Sequence, residues 1–173
     1  LCFSTDPFMY NQPEVCELSL KIIDKLNKSG IRCTVLTKGI YPKELAHRNS
    51  CSLNNEYGIT LVSLDENFKK EFEPNSAPFK DRINSLKYLH KKGFKTWISI
   101  EPYPTPNLVE QDLMKILKEI SFVNKIIFGR LNYSTESSKF KYSKEFYNSL
   151  VVMTENFCKK NKINYHIKHG TLS

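Results

Sequence analysis

The apolar residues of this chain change their period several times. Val15, Leu18, Ile22 and Leu26 recur at helical spacing across 14–29 and stop at Ser29-Gly30, which predicts a helix ended by a glycine. Phe79, Ile83, Leu86 and Leu89 predict a second helix over 79–92, before Gly93. Leu108, Leu113, Ile116, Leu117 and Ile120 predict a third over 107–121, and Phe146, Leu150, Met153 and Phe157 a fourth over 143–160. Between them lie short apolar runs at 1–5, 31–37, 58–64, 94–101, 125–129 and 163–167, which read as strands. Short helical pieces are expected at 42–49 and 66–72, and the polar stretch 130–142 is long enough to be a functional loop.

Strands that alternate strictly with helices imply a parallel sheet with right-handed crossovers. Short, continuously apolar strands suit a sheet covered on both faces. The chain has 173 residues, whereas a full eight-unit barrel needs about 250. The expected fold class is therefore α/β, a partial parallel barrel or an open doubly wound sheet, in a single domain over 1–173. Leu1-Cys2-Phe3-Ser4 reads as a buried strand, so the chain is expected to be a piece of a longer protein that begins inside a strand.

Composition narrows the classes. The net charge of +8 raises nucleic acid as a partner. Placement points elsewhere, because Lys28, Lys91, Lys92, Lys159, Lys160 and Lys162 sit where helices should end and complement their dipoles. No apolar run reaches the roughly 20 residues that span a bilayer, and no signal peptide is visible. Cys2, Cys16, Cys33, Cys51 and Cys158 are widely spaced, with no CxxC. They carry no metal signature, read as small core hydrophobes, and fit a reducing cytoplasm.

In parallel α/β folds, ligands bind at the carboxyl ends of the strands. Those ends carry Thr5, Asp6 and Pro7; Thr37, Lys38 and Gly39; Ser63, Leu64 and Asp65; Glu101, Pro102 and Tyr103; Gly129, Arg130 and Asn132; and Lys168. Both charge signs are present, which suits a zwitterionic ligand. Asp6 and Ser63 read equally as ligand-facing groups or as structural residues, either turn formers or helix caps. Lys38, directly after a buried strand, is placed for a carboxylate or phosphate. Glu101 is placed for ribose hydroxyls or for pairing with Arg130. Glu73 and Arg82 read as a structural ion pair, His47 and His90 as surface residues, and His166 as a satisfied core histidine. Tyr10, Phe68, Trp97 and Tyr133 read as packing.

Ser4-Thr5-Asp6-Pro7-Phe8 followed by Gln12-Pro13-Glu14 resembles the "TDPYQPxE" signature of radical S-adenosylmethionine (SAM) proteins related to spore photoproduct lyase. Leu36-Thr37-Lys38-Gly39, Val62-Ser63-Leu64, the stretch Glu73-Pro74, Ala77-Pro78, Asp81-Arg82, and Ile100-Glu101-Pro102 resemble later motifs of that group, in order. The resemblance implies a (βα)6 partial barrel, here without its first βα unit. It implies SAM as cofactor and, in the intact protein, a 4Fe-4S cluster held by a CxxxCxxC loop absent from this chain. In the family the cluster reduces SAM to a 5′-deoxyadenosyl radical that abstracts hydrogen from substrate. By motif match, Thr5–Pro7 would approach SAM's amino group through main chain, Lys38 and Ser63 would meet its carboxylate or ribose, and Glu101 with Gly129, Arg130 and Leu131 would lie near ribose and adenine. The resemblance implies a lyase-like enzyme of undefined substrate, with the isolated piece inactive and an exposed sheet edge open to self-association. Two alternatives stand beside it: a cluster-less α/β module that binds nucleic acid or another anion, and an ordinary phosphate-binding α/β enzyme, which no GxGxxG or P-loop supports.

Overall fold

A computed structural model of the protein describes residues 5–47, 51–132 and 134–172. Residues 1–4 of the strand expected over 1–5, Cys2 among them, lie outside that set, and so does Tyr133. Six α-helices and five strands follow one another among the described residues. These are α1 (Pro13–Lys28), β1 (Thr34–Thr37), β2 (Glu56–Thr60), α2 (Glu66–Phe72), α3 (Phe79–Lys91), β3 (Lys95–Tyr103), α4 (Leu113–Glu119), β4 (Lys125–Arg130), α5 (Thr135–Ser138), α6 (Ser143–Asn161) and β5 (Asn164–Ile167), with a 3-10 turn at Lys43–His47. The strands form one open parallel sheet in the order β1-β2-β3-β4-β5. Thr34 pairs with Glu56 at one end, and Lys125 pairs with Asn164 at the other.

The chain groups into two compact units, Leu1–Thr60 with Asn75–Trp97, and Leu61–Pro74 with Ile98–Ser173. In the first, Leu20 and Ile23 of α1, Val35 of β1, Tyr57 and Ile59 of β2, and Leu86 and Leu89 of α3 are buried. Phe8, Tyr41, Tyr57 and Phe94 run through it as successive edge-to-face aromatic pairs. The Tyr41 hydroxyl donates to the Gly58 carbonyl at 2.6 Å, which satisfies it inside the core. In the second unit, α6 packs on β4 and β5, and α4 packs on α6. Ile100, Leu113, Leu117, Ile126, Phe128 and Tyr147 are buried there.

The helix ends are built as the lysine placement requires. Lys25 and Lys28 lie in the last turn of α1, and Lys159 and Lys160 in that of α6. Lys162 ends α6 in the left-handed conformation at φ 56°, a place usually taken by glycine or asparagine.

Several expectations need correction. The buried face of α1 is Ser19, Leu20 and Ile23, while Leu18 and Ile22 are 59% and 37% exposed. Two helical stripes of similar hydropathy run along this segment, and packing selects the other one. In α6 the buried positions are Tyr147, Leu150, Val151, Thr154 and Cys158, so the core again takes a neighbouring stripe. The helix expected over 107–121 shrinks to Leu113–Glu119, because the Asp112 carboxylate accepts from Met114 N at 2.8 Å and starts the helix there. Residues 105–109 instead turn back on the Thr105 carbonyl, which accepts from Leu108 N and Val109 N. The stretch 130–142 contains α5, capped by the Ser134 hydroxyl. His166 is exposed rather than core, because β5 is the last strand of the sheet and alternates exposed and half-buried positions.

Candidate functional site

In the first unit, the Asp6 carboxylate ties the 5–8 loop to the end of β1. One oxygen accepts from Phe8 N at 2.9 Å and from the Thr37 hydroxyl, and the other accepts from Lys38 N at 2.7 Å. The Thr37 oxygen in turn accepts from Gly39 N at 2.8 Å. Gly39 is required here, since a Cβ at that position would collide with the Phe8 carbonyl. The Lys38 carbonyl accepts from Ala77 N at 2.9 Å, which fixes the main chain of the strand end while its half-buried side chain stays within reach of solvent. Thr5 is exposed and Pro7 buried. Asp6 is thus the clamp that sets this loop against the Lys38 strand end, and its carboxylate is engaged inside the protein.

In the second unit, neighbouring strands bring Glu101, Gly129 and Lys168 together. A Cβ on Gly129 would lie 2.9 Å from the Glu101 Cδ, so glycine in β4 creates the seat for that carboxylate. Lys168 Nζ stands 3.5 Å from Glu101 Oε2, with side-chain exposures of 47% and 30%. A pair so accessible to water is worth at most about 1 kcal/mol, and both groups remain able to exchange partners. Ser63 is buried, and its oxygen accepts from Asp65 N at 3.0 Å, which leaves its own proton available to a ligand. Arg130 Nε donates to Asn132 Oδ1 at 2.8 Å, while Arg130 N donates to the buried Thr171 hydroxyl at 3.4 Å. Leu131 N donates to the Tyr103 carbonyl at 3.1 Å and lies 3.2 Å from the Tyr147 hydroxyl, which donates to the same carbonyl at 2.7 Å. Burial pushes the Tyr147 phenol up and keeps it protonated as that donor.

Sequence reasoning named Glu101, Gly129 and Lys168 but did not pair them, and it missed the bracing roles of Tyr147 and Thr171. The hydroxyl types were visible, but their partners lie tens of residues away and only pairing of the strands selects them. His47 is exposed and bonded through Nε2 to the Tyr88 hydroxyl at 2.8 Å, and His90 is half-buried with Nδ1 3.0 Å from Thr96 Oγ1. Arg82 is 1% exposed and Glu73 is 9% exposed, and Arg82 Nη1 donates to the Thr60 carbonyl at 2.8 Å.

The family model of the Radical SAM superfamily matches residues 2–120. The chain belongs to the radical SAM superfamily. An uncharacterized protein of Acidianus two-tailed virus is 25% identical over 132 residues, covering 73% of this chain and 43% of that protein. An uncharacterized protein of Methanocaldococcus jannaschii is 35% identical over 88 residues, covering 50% of this chain and 32% of that protein. The chain thus spans less than half the length of these curated relatives. Among solved structures, Streptococcus suis SuiB bound to S-adenosylmethionine shares the fold at a TM-score of 0.61 and 16% identity, over 87% of this chain and 36% of that one. Spore photoproduct lyase complexed with dinucleoside spore photoproduct shares it at 0.67 and 11%, over 96% of this chain and 58% of that one.

The two groups that radical SAM membership implies fare differently against the residues present. No three His, Cys, Asp or Glu side chains among the described residues come together as metal ligands, so an iron–sulfur cluster does not fit them. The set for SAM does fit in kind: an accessible carboxylate over a glycine seat, an accessible ammonium, and a serine hydroxyl with its proton uncommitted. No helix among the described residues is long and apolar enough to cross a membrane.

Proposed function

We propose that this chain binds S-adenosylmethionine at the carboxyl ends of its strands, as the SAM-binding part of a radical SAM enzyme. The observation that carries the reading is the Glu101 carboxylate, seated over Gly129 and held, among the described residues, only by an exposed ammonium. A carboxylate so presented accepts the two vicinal hydroxyls of a ribose and yields its lysine partner at little cost. Lys38 and Ser63 serve the cofactor's carboxylate or ribose, and the main chain of Thr5–Pro7, held by the Asp6 clamp, serves its amino group. The amides of Arg130 and Leu131 are engaged internally, so main-chain contacts from Gly129–Leu131 to ribose and adenine run through carbonyl oxygens. In a radical SAM enzyme the cofactor would supply the radical chemistry, while the residues of this chain would bind and orient it. A 4Fe-4S cluster in the intact protein and lyase-like chemistry follow from the family, a cytoplasmic setting from the scattered thiols, and no described residue is assigned to the cluster.

Equilibrium dialysis of the chain against labelled SAM tests the reading, with Glu101→Gln and Lys38→Ala compared by circular dichroism to confirm retained folding. Saturable binding, weakened roughly tenfold by Glu101→Gln through loss of charge-assisted hydrogen bonds, is expected. Affinity equal to the parent's in both variants would remove these residues from the site. The second reading, a module for nucleic acid, is favoured by the net charge of +8. It requires binding that weakens steeply with salt.

A further inference from the structure

A largely polar cavity of about 430 Å³ lies at the other end of the strands, lined by Asn27, Gly30, Arg32, Ser52, Asn54 and Lys95 beside the exposed Ile31. All of them belong to the first unit. Asn27 and Gly30 come from the end of α1, Arg32 stands just before β1, Ser52 and Asn54 precede β2, and Lys95 opens β3. The walls are tied together underneath. Asn27 and Asn55 exchange side-chain amide hydrogen bonds at 3.1 and 2.7 Å. Asn27 Oδ1 also accepts from Ser52 N, and Asn55 Oδ1 from Cys33 N, both at 2.8 Å. Asn55 is completely buried. The floor of the cavity is therefore fixed, while the Arg32 and Lys95 side chains are exposed and would be ordered by a ligand.

Its chemistry is one-sided. Neither Arg32 nor Lys95 pairs with a carboxylate among the described residues, and no Asp or Glu lines the cavity. The Ser52 oxygen accepts from Asn54 N at 3.1 Å, so its proton is left to donate. The end of α1 contributes about half a negative charge. Its Leu26 and Asn27 carbonyls are turned into their own loop, where they accept from Ile31 N at 2.9 Å and Gly30 N at 3.0 Å. Two full positive charges outweigh that half-charge. A guanidinium fork, an ammonium and a hydroxyl together match a phosphate group, and the volume falls within the range of small-molecule sites.

We propose that this cavity binds a phosphorylated small molecule, with Arg32, Lys95 and the Ser52 hydroxyl taking its phosphate. The site is separate from the strand carboxyl ends and stands whether or not SAM binds there. The test is titration of inorganic pyrophosphate into the isotopically labelled full chain, followed by amide chemical shifts. Saturable shifts centred on Asn27, Ser52 and Asn54 are expected, with binding weakened roughly tenfold or more in the Arg32→Gln/Lys95→Gln double variant. Ser52→Ala, which alters no charge, carries the same comparison if the double variant loses its dispersed spectrum. The proposal is overturned if millimolar pyrophosphate produces no saturable shift or if the variants bind as the parent does. It is also overturned if only a single-stranded oligonucleotide binds and pyrophosphate does not compete with it, which would assign the surface to nucleic acid.

Discussion

Replacing Asp6 with alanine removes the acceptor for three donors at once: Phe8 N, Lys38 N and the Thr37 hydroxyl. Each hydrogen bond to a charged acceptor contributes about 1.5–3 kcal/mol net. The three share one carboxylate, and half-burial of Asp6 lets water replace part of what is lost, so they do not add. A loss of about 2–4 kcal/mol is expected, a large share of the roughly 5–15 kcal/mol that stabilises a domain. Thr37→Val keeps the side chain's shape in its buried position but deletes both the bond to Asp6 and the acceptor for Gly39 N. In a double-mutant cycle the two changes should be coupled by about 1 kcal/mol or more, since removing either partner already breaks the shared contact. Urea denaturation followed by far-ultraviolet circular dichroism measures all four proteins. An Asp6→Ala variant within about 0.5 kcal/mol of the parent, or a strictly additive cycle, would refute the clamp.

Gly39→Ala and Gly129→Ala should differ in kind. At Gly39 the added Cβ meets the Phe8 backbone, which cannot yield cheaply, so denaturation should show a severe loss of stability. At Gly129 it meets the flexible Glu101 side chain at 2.9 Å, so folding should survive while SAM affinity in dialysis falls. Among the described thiols, Cys158, fully buried and pushed up to about 11 by burial, and Cys33 should resist iodoacetamide at pH 8 (a mildly alkaline condition), while half-buried Cys16 and Cys51 react, as read by mass spectrometry. Burial raises the phenols of Tyr57, Tyr103 and Tyr147, so the folded chain stays protonated where the unfolded one ionises. The stability they contribute is complete below about pH 10 and is lost as pH rises beyond it. Denaturation midpoints should fall in that alkaline range, with ultraviolet titration showing delayed tyrosinate formation.

The alternation of helix and strand was legible because each strand is a short apolar run bounded by helices with clear ends, as Gly30 and Gly93 illustrate at φ 75° and 89°. The facing of the helices was not. Leu18 and Ile22 are as apolar as Leu20 and Ile23, and only packing against the rest of the unit selects which pair is buried. The start of α4 was misread because Leu108 continues the apolar spacing, whereas the Asp112 cap decides where hydrogen bonding begins. In the candidate site the residue types at the strand ends were readable, and the ordered motifs pointed to the family. Asp6 read as a turn former, a helix cap or part of the ligand site, and its role as a clamp on the end of β1 emerged only with the loop's fold back onto that strand. The seat of Glu101 was hidden because a glycine is informative only once its neighbour across the sheet is known.

The most direct test of the central claim is a crystal structure of the chain grown with S-adenosylmethionine. The account predicts cofactor density at the strand carboxyl ends, with the ribose hydroxyls within hydrogen-bonding distance of the Glu101 carboxylate and Lys168 displaced from its 3.5 Å pairing. Cofactor bound elsewhere, or Glu101 still paired with Lys168 beside an empty site at saturating SAM, would contradict it.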